Sequence, residues 1–348
     1  MKKLFFLLAL VAMSVLAMGQ DNQLVWANGR LLYGTPVENI DSLTYDEMEN
    51  VDTLHLLLPR RLIKVVYDTV YIHDTVYIHD TVYVTPSVGI GTFSVSPDKQ
   101  VTFSQGNLQY TQSTNTWSFA NAQYEVLGFD NVIGGSVSSG LFGDSKEGTA
   151  LADKVDLFGW GTGDAPTKSS TSYSEYSTFV DWGTNKIGND APNTWRTLTK
   201  DEWMYIFYNR PNAQSLFALG SVNGVNGTII LPDNWTTPAG VSFVASTTKG
   251  LYWDGSDCYK SNGTNYGDNT YTSEQWSKME QAGAVFLPVS GYRLGTEVGN
   301  VGYNGYYWSS TEYDEKYAHI MGFYSNFLSL QSYGIRNLGQ AVRLAQDL

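Results

Sequence analysis

The chemistry most open to this chain is that of a contact surface, and it is concentrated in residues 303–348, YNGYYWSSTEYDEKYAHIMGFYSNFLSLQSYGIRNLGQAVRLAQDL. Tyrosine presents a large, stiff face at little rotamer cost, while Ser, Asn and Gly adapt their hydrogen bonding to a partner. The Tyr, Asn and Lys residues between Glu312 and Tyr333 lack the apolar periodicity of a core segment, which places them in surface loops. Two stiffer flanks, 306–310 (YYWSS) and 339–344 (GQAVRL), frame them as scaffold.

Other chemistry is less well supplied. Asp254, Asp257, Asn262, Asn265, Asp268 and Asn269 form an oxygen-rich stretch whose hard ligands suit Ca²⁺. Their spacing is not that of an EF-hand, so a Gly/Asn-rich surface loop is the preferred expectation, with no cofactor. His73 and His79 would lie about 20 Å apart on an extended strand at ~3.3 Å per residue, too far for one chain to chelate. Cys258 is the only cysteine, which rules out an internal disulfide and a four-cysteine zinc site. No Gly-x-Ser-x-Gly and no phosphate-cradling loop is present. Asp201 and Glu202 fall in a helix first turn, where the macrodipole favours carboxylates. Catalysis is not expected. Arg293, Arg336 and Arg343 are assigned to pinning loops through backbone carbonyls, and Trp160, Trp182, Trp195, Trp203 and Trp308 to core packing.

The elements that must position the surface fall into four parts. Lys2 and Lys3 before an apolar run, with small residues at Ala17 and Gly19, mark residues 1–19 as a signal peptide cut before Gln20. Without those two lysines the 21 basic residues become 19 against 34 acidic ones, a net charge of −15. Such a surface repels phosphate backbones and anionic lipid, so nucleic acid is not expected as a partner, and membrane insertion is not expected because no later stretch reaches the length of a membrane helix. The expected location is secreted, on the outer cell surface or in the periplasm. Residues 20–60 make a small β module, with a hairpin signalled by Asn28-Gly29 between Leu24-Val25-Trp26 and Leu31-Leu32-Tyr33. Residues 61–91 form an extended stalk in which Asp-Thr-Val-Tyr-Ile-His starts at Asp68 and again at Asp74, then returns in part from Asp80. Its even period keeps one face along a strand, suited to pairing in a homo-oligomer.

Residues 92–348 form one head. Short alternating strands near Phe93, Val101 and Asn107 are separated by turn residues. Two helices are expected: one from the N-cap Thr199 to a stop at Pro211, the other from Thr272 or Ser273 to Gly283. Two helices among many short strands and long loops give an α+β class.

Five segments carry a resemblance: VDLFGWG at 155–161, DWG at 181–183, TWRTLTKDEW at 194–203, AVFLPVSGYR at 284–293 and the closing block. Together they resemble a family of exported Bacteroidetes proteins related to the Fib-succ-major paralogous domain. The resemblance implies a C-type-lectin-like head of the formylglycine-generating-enzyme type. Such enzymes need paired cysteines for copper, which one Cys cannot supply, and the sugar-binding tripeptides Glu-Pro-Asn and Gln-Pro-Asp are absent. Residues 305–311 with Arg336 and 339–344 are also similar to variable proteins of diversity-generating retroelements. Matched residue by residue, that similarity implies ligand-binding positions at Tyr313, Asp314, Glu315, Lys316, Tyr317, His319, Tyr324, Asn326, Ser332 and Tyr333. Leu328 and Leu330 fit such positions poorly. The expected function is an adhesin- or receptor-like binding protein for a protein or glycan ligand. The alternatives are a structural subunit of a surface appendage and a sulfatase-modifying-factor-like enzyme.

Overall fold

The computed structural model describes residues 91–128, 153–261 and 266–348, together with the backbone of five earlier strands. The signal segment, the DTVYIH repeat and the oxygen-bearing Asn262 and Asn265 lie outside the described residues. Two compact units divide the chain, Met1–Tyr83 and Val84–Leu348.

In the first unit, Asn22–Ala27 pairs antiparallel with Arg30–Pro36, Ala27 opposite Arg30, which is the hairpin register that Asn28-Gly29 predicts. Ser42–Met48, Val51–Leu58 and Arg61–Val66 follow as a three-stranded antiparallel meander. Its last strand falls in the segment that the sequence assigned to the stalk.

The second unit is α+β, built mostly of short strands in several small sheets with two α-helices among the described residues. The hairpin Phe217–Val222/Val225–Ile230 turns on Asn223 and Gly224, both at positive φ (49° and 80°), the geometry whose twist suits a two-residue connection. Ile229 and Ile230 are neighbours on this strand, yet each is fully buried in a different apolar cluster. Its sheet therefore separates two cores, which explains why its strands are apolar runs rather than alternations.

The first helix, Lys200–Met204, opens on a capping box: the Glu202 amide donates to Thr199 Oγ1, and the Thr199 amide donates to the Glu202 carboxylate. It then widens into a π turn at Tyr205–Asn209 before Pro211. The expected single helix over 199–210 is thus half α and half π, a change that keeps Trp203, Met204, Ile206 and Phe207 all buried. The second helix, Ser273–Gln281, is capped in the same way by Thr272 and Gln275, and the chain leaves it through Gly283 at φ 90°.

The scaffold flanks are largely enclosed, with Tyr306 and Ser310 half-buried. Tyr307 and Trp308 are buried, with the Trp308 indole N–H donating to the Phe158 carbonyl at 2.7 Å. Arg343, buried without a carboxylate in contact, donates to Asn107 Oδ1 and to the carbonyls of Ser104 and Phe286. The last strand, Leu344–Asp347, lies between Arg196–Thr197 and Gln100–Phe103, and the opening strand Phe93–Ser94 pairs with the far side of Gln100–Phe103.

Candidate functional site

The stretch expected to be surface loop is a long antiparallel hairpin, Tyr317–Tyr324 against Phe327–Ile335, at the centre of a five-stranded sheet. That corrects the sequence expectation. Ala318, Ile320, Met321, Phe323, Leu328 and Leu330 are all buried. A register shift between Ile320 and Gly322 breaks the period of two, so Ile320 and Met321 both reach cores. The alternation is present but interrupted, and a periodicity count misses it.

What the hairpin displays is the turn before it. Gly305–Glu312 hands over to Tyr317–Tyr324 through residues 313–316, and the amides of Tyr313 and Asp314 both donate to the Tyr317 carbonyl. The Asp314 carboxylate caps the turn by accepting from the amides of Lys316 (2.8 Å) and Tyr317 (2.7 Å). Arg336, buried behind it, donates to the carbonyls of Asp314, Tyr317, Tyr176 and Ser177, pairs with Glu312 at 3.0 Å, and lies 4.5 Å from the Trp160 ring. Carbonyl pinning is the role assigned to the arginines. Arg293 performs it too, toward Leu157, Lys168 and Gly295.

On this fixed turn stands an aromatic cluster. Tyr313 and Tyr333 stack with centroids 4.7 Å apart and planes 19° apart, and each is about half exposed (51% and 52%). Tyr317 meets both rings edge-on. The Lys316 ammonium lies 5.0 Å from the Tyr317 ring and 5.8 Å from that of Tyr173. Tyr173 is an exposed member that sequence reading missed, contributed by a 3₁₀ turn at Tyr173–Tyr176. Its signal was local: SSTSYSEY at 169–176 has the same Tyr/Ser composition as the C-terminal run.

The other expected positions divide. Glu315 is exposed on the same turn. His319 is buried under Tyr313, at a centroid distance of 5.2 Å, and its Nδ1 has no hydrogen-bond partner. Burial first and the Lys200 charge second lower its pKa, which favours neutral imidazole. Ser332 is half-buried opposite Ile320. Tyr324 and Asn326 sit at the far end of the hairpin, five residues beyond His319 or roughly 16 Å along a strand. There Tyr324 stacks on Phe327 at 4.9 Å, apart from the Tyr313 cluster.

Among the six oxygen-bearing residues, Asp254 and Asn269 have structural partners. Asp254 pairs with Lys260 at 2.6 Å and accepts from the Cys258 thiol and the Ser256 amide. Asn269 is buried, its carboxamide bound to the backbone of Val244 and Leu219. These oxygens already serve protein donors. Among the described residues no group of three His, Cys, Asp or Glu side chains gathers.

Residues 268–345 are similar to a domain of unknown function (DUF8237), a span that includes the hairpin and its turn but not Tyr173. No curated protein and no solved structure matches the chain. No helix among the described residues is long and apolar enough to cross a membrane.

Proposed function

We propose that this chain is an exported recognition protein that holds a protein or glycan ligand on the surface formed by Tyr313, Tyr317, Tyr333, Lys316 and Tyr173. One observation carries it: two half-exposed tyrosines stack, Tyr313 on a turn whose carbonyls a buried arginine fixes and Tyr333 on the strand Phe327–Ile335. Exposed aromatics ordinarily lose conformational freedom on binding; here stacking and the pinned turn restrict them beforehand, so more contact energy is retained.

The head itself is proposed to be C-type-lectin-like. Supporting that are the capped helix directly after Arg196–Thr197, the pairing of the closing strand with that same element, and a core-seated Trp308. The proposed partners exclude nucleic acid, since the net charge of −13 repels polyanions.

The test is an array of extracellular proteins and glycans probed with the full chain and with Tyr313→Ala/Tyr333→Ala. A ligand bound by the native chain should weaken at least tenfold, which is about 1.4 kcal/mol, as expected when anchors of this type are removed. Ligands retained at native strength by the double variant would place recognition elsewhere.

A further inference from the structure

Granted that the tyrosine surface is a recognition site, we propose that its ligand is a basic protein segment, with an arginine or lysine side chain laid against the Tyr313–Tyr333 pair. Around Tyr313, the end of the strand Gly305–Glu312 and the turn after it carry three carboxylates, Glu312, Asp314 and Glu315. Asp314 and Glu315 are exposed, and the Glu312 side chain is 62% exposed although it pairs with Arg336. Glu175 is exposed on the 3₁₀ turn that supplies Tyr173. Against these stand Lys316, already lodged over two rings, Lys168, which lies over the Tyr176 ring and donates to the Glu175 carbonyl, Lys200, whose charge reaches His319, and the buried Arg336.

The wall already accepts cations on ring faces twice from its own chain: Lys316 over Tyr317 and Tyr173, and Arg336 over Trp160. Tyr313 and Tyr333 present the same chemistry outward, and a carboxylate beside an aromatic face is where a guanidinium gains both attractions at once. A neutral sugar would gain from the rings but nothing from the acidic rim. An anionic ligand would be repelled by it. The chain's overall charge of −13 adds long-range steering of a cationic partner toward the surface.

Calorimetric titration of the full chain tests this with three probes: an Arg/Lys-Gly dodecapeptide, the same peptide with Glu at the basic positions, and a neutral oligosaccharide. The basic peptide alone should bind. Tyr313→Ala/Tyr333→Ala should weaken it at least tenfold, and Glu315→Gln several-fold. Raising salt from 50 to 500 mM should also weaken it several-fold, as charges are screened. Thermal unfolding of each variant checks that the head is intact. Basic peptide held equally well by the tyrosine variant would overturn the inference, because the general acidic field would then suffice. Tyrosine-dependent binding of the sugar without the peptide would overturn it while leaving the recognition surface standing. No tyrosine-dependent binding of any probe overturns the basic-segment inference; the protein and glycan array then decides separately whether the surface recognises anything.

Discussion

Arg336 carries five donors in a planar fork, and the fork spans the turn that presents the tyrosines and the 3₁₀ segment behind it. Its truncation removes a donor from each of those carbonyls, although Tyr317 keeps the amides of Tyr313 and Asp314, and leaves Glu312 without its cation. Arg336→Ala should therefore cost about 3 kcal/mol in urea unfolding, and Arg336→Lys should recover only part because an ammonium cannot reach all the acceptors. A loss no larger than an ordinary surface substitution would mean the turn stands without it. Asp254 makes a second prediction. Its pairing with Lys260 first, then the Cys258 thiol and the Ser256 amide, holds its pKa down to about 2 from an ordinary 3.8. The folded carboxyl thus gives up its proton more readily than the unfolded one. Its stabilising contribution is complete above about pH 4 and is lost as pH falls through 2. Trp253 fluorescence should change over that window, and Asp254→Asn should remove that component. Identical titrations would show the pair to be inert. The Cys258 thiol, pushed up to about 11 mainly by burial, remains a protonated donor to Asp254 at neutral pH.

Between Gly305–Glu312 and Tyr317–Tyr324, two glycines, Gly305 opposite Phe323 and Gly322 opposite Tyr306, separate packing from tolerance. A Cβ on Gly305 would lie 2.1 Å from the Phe323 ring, whereas one on Gly322 would meet Tyr306 at an ordinary 3.5 Å. Gly305→Ala should cost on the order of 3 kcal/mol through overpacking, and Gly322→Ala should stay within about 1 kcal/mol. Denaturant midpoints compare them directly, and equal losses would contradict the packing. Elements of this kind were unevenly legible in the sequence. Both capping boxes and the glycine exit of the second helix could be read, because caps are local chemistry between residues three apart. The π turn and the interrupted hairpin could not. Each is a shift of phase imposed by which side chains must reach a core, and a shifted phase looks like no periodicity at all.

At the scale of the whole molecule, the three apolar clusters among the described residues run from Phe93 to Ala345. A head of this size can bury enough surface to fold alone. Residues 84–348 expressed without the first unit should unfold cooperatively, with a midpoint within ~3 °C of the full chain. A non-cooperative transition would show that the head needs residues 1–83.

The sequence alone determined the class of the head, its helix starts, the N-terminal hairpin register, the arginines as carbonyl donors and, apart from the half-buried Trp195, the tryptophans assigned to the core. Each follows from residue type acting within a few positions or from a side chain's fixed donor set. Tertiary structure alone decided which tyrosines share a surface. Tyr313 and Tyr333 are distant in the chain and stacked in space, Tyr173 is brought to Lys316 of the same turn, and Tyr324, closer in sequence to Tyr333 than Tyr313 is, stands at the other end of the hairpin. Antiparallel pairing is the physical reason: it brings the two open ends of a hairpin together and carries its closed end away.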